Sequence, residues 1–242
     1  MRSVEVSAER GRLAFICAMP MELKPLVKKL SLQKTTVAGV PVRTGRLGGR
    51  DVVAIATGMG TKLATEATER LLNAVEVERV VVFGITGAVE NETPIGTLIL
   101  PEVVVNSATG SEHRPAPLGE GTPHGKMWTT DLINSDLDEI ARLRAQGVVS
   151  LDMETAAIAE SCERRNIPWS VFRVISDRST DGTVTDETFG LAHQDGTPNV
   201  PAIVRYFVKH PHRVPRMMKV GQGAVLATKR AADAAILACI QT

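Results

Sequence analysis

Aromatic side chains are scarce in this 242-residue chain, which has two tryptophans, one tyrosine and five phenylalanines, and its formal charge at neutral pH is only +1. Nucleic-acid binding wants stacking platforms and a basic field, so both shortages argue against a nucleic-acid partner. Cysteine is sparse as well. Cys17, Cys162 and Cys239 stand far apart in apolar contexts, which reads as reduced core thiols and offers no zinc spacing. No metal and no organic cofactor are expected. No apolar run reaches the length of about eighteen residues that a membrane span needs, the N-terminus lacks the apolar stretch of a signal peptide, and no linker-like stretch divides the chain. These absences predict a cytoplasmic protein, one domain over 1–242, acting on a small molecule.

What is present alternates between strand and helix. Residues 13–18, 51–57, 79–84 and 169–175 are short apolar or β-branched runs bounded by turn residues, expected as interior and largely parallel strands. Between them, Met19, Leu23, Leu26, Val27 and Leu30 fall on one helical stripe behind Pro20. Residues 61–75 and 152–165 are expected as similar helices, and the alanine-rich tail 224–240 as one that covers a sheet face. Residues 41–46 and 97–105 read as a second sheet region, with Pro101 marking an edge or bulge, and 106–125 as a loop. The pattern is that of an α/β fold.

Two acidic segments suggest a site. In Ser150-Leu-Asp-Met-Glu154-Thr-Ala-Ala an acidic pair opens a helix, and in Arg173-Val-Ile-Ser-Asp177 a carboxylate ends a buried strand. An α/β fold can bring such carboxylates into one pocket. Read alone, Glu22, Asp152 and Glu154 are ordinary first-turn acids and Asp177 a loop cap. The glycines are ambiguous. Gly58-Met-Gly60 follows a strand, but the third glycine of a dinucleotide fingerprint would fall at Leu63 and no acidic ribose reader follows. Gly84-Ile-Thr-Gly87 allows either close approach to a ligand or a bare turn.

Taken together, Cys17-Ala-Met-Pro-Met-Glu22-Leu, Gly84-Ile-Thr-Gly87-Ala, Leu151-Asp-Met-Glu154-Thr-Ala-Ala-Ile-Ala and Val174-Ile-Ser-Asp177 resemble the purine nucleoside phosphorylase and nucleosidase superfamily over roughly residues 12–180. The nearest pattern is that of 5′-methylthioadenosine/S-adenosylhomocysteine nucleosidases. The resemblance implies a phosphorylase/hydrolase-like fold with a central mixed, partly barrel-like sheet flanked by helices. It implies Asp177 as the acid that protonates N7 of a purine and Glu22 as the group handling the attacking water. Glu154 and the Met153 backbone would hold ribose hydroxyls, with Ser176, Ile85, Gly87 and Met19 beside the substrate. It also implies a homo-oligomer, a dimer; an apolar face of residues 61–75 or 152–165 fits either such an interface or the core, and periodicity does not separate the two.

The chemistry fits this division, since cleaving an N-glycosidic bond needs one protonated carboxyl and others ionised. The helix dipole is expected to keep Glu22 ionised, and desolvation to raise Asp177, with Arg178 pointing to the other face. Asp152 is expected to do no more than cap a helix.

The chain also departs from the family. Phosphorolytic members place an arginine and a serine where Val82 and Ile85 stand here, which removes a phosphate clamp and favours hydrolysis. His113, Arg114 or Arg178 would have to replace that clamp for phosphorolysis to survive. The family's base-stacking phenylalanine is missing near residues 130–134, leaving Ile133 with Trp128 or Phe189 to sandwich the base.

The loop at 106–125 is shorter than its family counterpart, and 198–223 reads as an insertion. There Ile203, Tyr206, Phe207, Val214, Met217, Met218 and Val220 mix with Arg205, Lys209, Arg213, Arg216 and Lys219. A packed surface helix pair is the plain expectation. The sharper ones are a cover for a bulky 5′ substituent, as in adenosylhopane-cleaving relatives, or an approach to an acidic membrane. The expected activity is hydrolysis of an adenine-type nucleoside with a modified 5′ position. Phosphorolysis is the alternative within the family, and a non-catalytic nucleoside-binding protein the alternative outside it.

Overall fold

The computed structural model describes residues 11–132, 136–179, 188 and 190–241. In chain order its strands are β1 (Arg12–Cys17), β2 (Gln33–Val37), β3 (Val40–Leu47), β4 (Arg50–Ala56), β5 (Val77–Ala88), β6 (Leu98–Ile99), β7 (Val103–Asn106), β8 (Glu112–His113), β9 (Lys126–Thr129), β10 (Val148–Asp152) and β11 (Trp169–Arg178). The helices are α1 (Pro20–Leu30), α2 (Thr61–Ala74), α3 (Leu137–Ala145), α4 (Thr155–Glu163), α5 (Val200–Lys209) and α6 (Val214–Ile240), with a 3-10 turn, Pro211–Arg213, before the last.

The apolar runs form the centre of one mixed sheet in the order β2-β3-β4-β1-β5-β10-β9-β7-β8, with β11 and then β6 branching from β5. β1 lies parallel to β4 and β5, and β5 parallel to β11, so the C-terminal ends of these four strands share one side. Along one edge of β5, pairing with β1 ends at Val82 and antiparallel pairing with β10 begins at Gly87. Residues 83–86 fall between the two ladders. That interval turns out to be part of the site.

Two faces of the sheet are covered. On one, α2 and α4 contribute Ala64, Leu71, Ala156 and Ile158 to a core with Ile16, Val53 and Val82. On the other, Leu26 of α1 and Ala227, Ala231 and Ala235 of α6 pack on Phe15, Phe83 and Phe172. The alanines let α6 lie close against the sheet. The large apolar side chains of α2 and α4 are buried or half-buried within the chain, so of the two uses open to these faces the fold shows core packing.

Four expectations change. Residues 41–46 and 97–105 form no second sheet, because β3 joins β4 and β7 joins β9 in distant parts of the same sheet. α4 begins at Thr155 rather than 152, since Ser150 and Leu151 are held in strand pairing by Ala88 and Gly87. α6 begins ten residues before 224, with a proline in its first turn where no amide donor is needed. Trp128 packs with Leu151 against Val89, Ile140 and Leu143, and does not reach the cleft described below.

Candidate active site

A cleft of about 270 Å³ opens at the C-terminal ends of β1, β5, β10 and β11, the usual place for a ligand in a sheet of this type. It is lined by eight of the ten residues singled out from the sequence: Met19, Glu22, Ile85, Gly87, Met153, Glu154, Ser176 and Asp177. Ile133 and Phe189 lie outside the described residues. Thr130 and Leu132 line it too, from the segment expected beside the base, and Met59 and Thr86 add to the lining without having been singled out.

Glu22 is positioned by the start of its helix. Pro20 begins α1, and Glu22 folds back so that one carboxylate oxygen accepts the Met19 amide at 2.7 Å while the other accepts the Ile85 amide at 2.7 Å. The side chain is fully buried, and burial pushes its pKa above the usual 4.5 even though Arg173 and the backbone donors pull it down. The helix-dipole expectation is therefore reversed in sign. Full burial of the carboxylate outweighs the favourable field of the helix end at which it sits.

Glu154 ends the β10–α4 turn. It accepts the Gly60 amide at 3.0 Å and a guanidinium N–H of Arg173 at 3.2 Å. Burial is the main cause that raises its pKa to about 7, with Asp152 and Glu22 adding to the effect and Arg173 opposing it. Asp152 does more than cap. It accepts Nη2 of Arg173 at 2.7 Å, the Thr155 amide at 2.8 Å, the Thr155 hydroxyl, and the Thr129 hydroxyl at 2.6 Å.

Arg173, which its mid-strand position does not single out in the sequence, is the hub of the charged cluster. It is 1% exposed and bridges the carboxylates of Glu22 (3.8 Å), Asp152 and Glu154. It also donates to the Ile85 carbonyl at 3.0 Å and to the Thr155 hydroxyl. Its signal was available, because an arginine inside an apolar strand must be paired to be buried. Gly84 is needed for the same cluster, since a Cβ there would collide with Oε1 of Glu22 and with Nη1 of Arg173, at a φ of 148°.

Asp177, at the end of β11, accepts the Ser176 hydroxyl at 2.5 Å and faces the cleft. Arg178 does not line the cleft and donates to the Thr93 carbonyl at 3.1 Å. No phosphate clamp appears among the described residues of the cleft. Val82 is buried in the core, Arg173 is engaged by carboxylates and carbonyls, and His113 lies against Glu163 and Glu160 of α4 at 2.7 and 3.6 Å. Arg114 does not line the cleft either. The three cysteines are buried and form no disulfide. Burial lifts all three thiols, Cys162 to about 12 and Cys239 to about 11, which makes them inert. No cluster of potential metal ligands occurs among the described residues.

Comparison with known proteins agrees with this geometry. A 5′-methylthioadenosine/S-adenosylhomocysteine nucleosidase of Bacillus cereus (strain AH187) is 26% identical over 200 residues, covering 69% of this chain and 85% of its own. Among solved structures, the S-adenosylhomocysteine nucleosidase of Streptococcus pyogenes in complex with 5-methylthiotubericidin superposes with a TM-score of 0.72 at 18% identity, covering 97% of this chain and 98% of that one. The futalosine hydrolase of Helicobacter pylori superposes with a TM-score of 0.69 at 13% identity, covering 94% and 97%. The family model described as the phosphorylase superfamily matches residues 12–123 and 109–209, which takes in α5 and so part of the segment read as an insertion. By that match over most of its length, the chain belongs to the phosphorylase superfamily.

Proposed function

We propose that this protein is a purine nucleosidase that hydrolyses the N-glycosidic bond of an adenine-type nucleoside with a modified 5′ position, releasing adenine and the free sugar. The observation that carries the reading is the cleft itself, where carboxylates from α1, the β10–α4 turn and β11 converge and no cation among the described residues lining it is left to hold phosphate. The nucleosidase relatives supply the substrate class.

In this reading Asp177 delivers a proton to N7, so that the base departs neutral, and the Ser176 hydroxyl holds the carboxyl in place. Glu22 takes a proton from the attacking water. Its raised pKa makes it a better base, because proton affinity closer to the working pH strengthens the catalyst. Glu154 and the Met153 backbone hold the ribose hydroxyls, while Met19, Ile85 and Gly87 flank the sugar and base. Ile133 and Phe189 are proposed to sandwich the base. The 1–242 chain works as one domain, as a cytoplasmic homodimer. Three buried cysteines outside any disulfide support a reducing compartment, and light scattering checks the dimer.

The test is adenine release from methylthioadenosine, adenosylhomocysteine and adenosine, with and without phosphate, following base and sugar by chromatography. Free sugar formed at a rate indifferent to phosphate is the expected result. A sugar 1-phosphate, or no release from any of the three, overturns the proposal. The Asp177→Asn variant should keep nucleoside affinity and lose at least about a hundredfold in turnover, the usual scale for a general acid.

A further inference from the structure

The segment that follows the cleft carries its apolar and basic residues outward. On α5, Val200, Val204 and Val208 succeed one another by about one turn and are 61%, 58% and 77% exposed. Arg205 and Lys209 each follow a valine by one position, which sets exposed cations along the flank of that stripe. The opposite side of α5 turns inward through Tyr206. Its ring lies against that of His210 at a tilt of 49°, with centroids 5.1 Å apart, and its hydroxyl accepts from Nη1 of Arg213 at 3.1 Å.

The first half of α6 repeats the theme. Met218 and Val225, two turns apart, are 61% and 64% exposed, and Arg216 and Lys219 lie exposed beside Met218. No aspartate or glutamate occurs between Asp195 and Asp233, a stretch that holds seven lysines and arginines.

We propose that the outward face of α5 and the start of α6 docks on an anionic lipid surface. The charge decides the occupant. A two-fold contact with a second copy would set one acid-free basic face against another, whereas an anionic membrane supplies counter-charges at its surface and apolar depth beneath them for the valines. This docking is peripheral, since no described helix is long and apolar enough to cross a membrane. It also brings the cleft close to the lipid. The Met59 amide donates to the Gln194 carbonyl at 2.8 Å, Gly196 packs against Met19, and Asn199 then caps α5. Gly223 of α6 touches the Ser176 carbonyl, where a Cβ would come within 2.9 Å. The inference is independent of the reaction performed in the cleft.

The test is sedimentation of the full chain with vesicles of phosphatidylcholine alone, or of phosphatidylcholine and phosphatidylglycerol in equal parts. At least roughly tenfold more protein should pellet with the anionic vesicles, and high salt should reverse this by screening. Val204→Asp with Val208→Asp, and separately Arg205→Glu with Lys209→Glu, should each abolish most of the binding while leaving the thermal midpoint unchanged. Equal or absent binding to the two vesicle types overturns the proposal, as does full binding by the valine variant. A halving of the solution mass in the valine variant also overturns it, by showing that a second copy covers the stripe.

Discussion

At the cleft, Glu22, Asp152, Glu154 and Arg173 are withdrawn from water, whereas along α5 and the front of α6 Val200, Val204, Val208, Met218 and Val225 are turned toward it. Both regions depart from the ordinary partition of side chains, in opposite directions and at different cost. Burying charge requires that each group find a partner, so the cleft is knit into one network through Arg173 and every member constrains the others. Exposing a valine costs little in the folded chain, so the stripe is held by nothing but its helix. Substitutions should therefore act strongly and jointly in the first region, and weakly and singly in the second.

The sharpest way to break the comparison is Arg173→Met. It leaves three buried carboxylates without their cation and should cost about 3–5 kcal/mol, read as a large fall in thermal midpoint together with loss of turnover. A midpoint close to the parent would mean that the carboxylates are neutral without it and that the network is not electrostatic.

A middle-sized effect concerns pH. The Glu154 carboxyl titrates near 7 in the folded chain against an ordinary value of 4.5, so the folded state binds the extra proton between those values. Stability contributed by this group is thus present at the acid end and lost as pH rises through that window, at up to about 1.4 kcal/mol per unit. Denaturant titrations from acid to neutral pH should show a flatter slope for Glu154→Gln than for the parent. Identical slopes would move the proton elsewhere in the cluster.

The smallest effect belongs to the other region. Val208→Ser should change stability by no more than about 0.5 kcal/mol, as expected of an exposed position. A larger loss, measured by the same denaturation, would mean that α5 is packed against something the exposed stripe conceals.

The two regions also differed in how far the sequence disclosed them. Glu22, Glu154 and Asp177 sit at the ends of elements, where a short motif carries both residue type and position, and the structure gathers them into one cleft. Arg173 escaped because its meaning depends on Glu22, far away in the chain, and only the strand order brings the two together. The start of α4 was misplaced for a related reason, since partners in β5 and not local propensity hold Ser150 and Leu151 in a strand. The mixture of apolar and basic residues at 198–223 was plain in the sequence. Which of them turn outward was not, because that depends on Tyr206 folding against His210 and Arg213.

The interval in the β5 ladder, where β1 has stopped and β10 has yet to begin, acts as a socket. Ile85 lies within it, giving its amide to Glu22 and its carbonyl to Arg173, so the anchoring of the charged cluster is written in main chain and leaves the side chain at this position uncommitted. Evolution can then exchange the residue that looks into the cleft, isoleucine here and a serine in phosphorolytic members, without unseating the carboxylate beside it. Changing the co-substrate and keeping the catalytic geometry become separable problems in this fold.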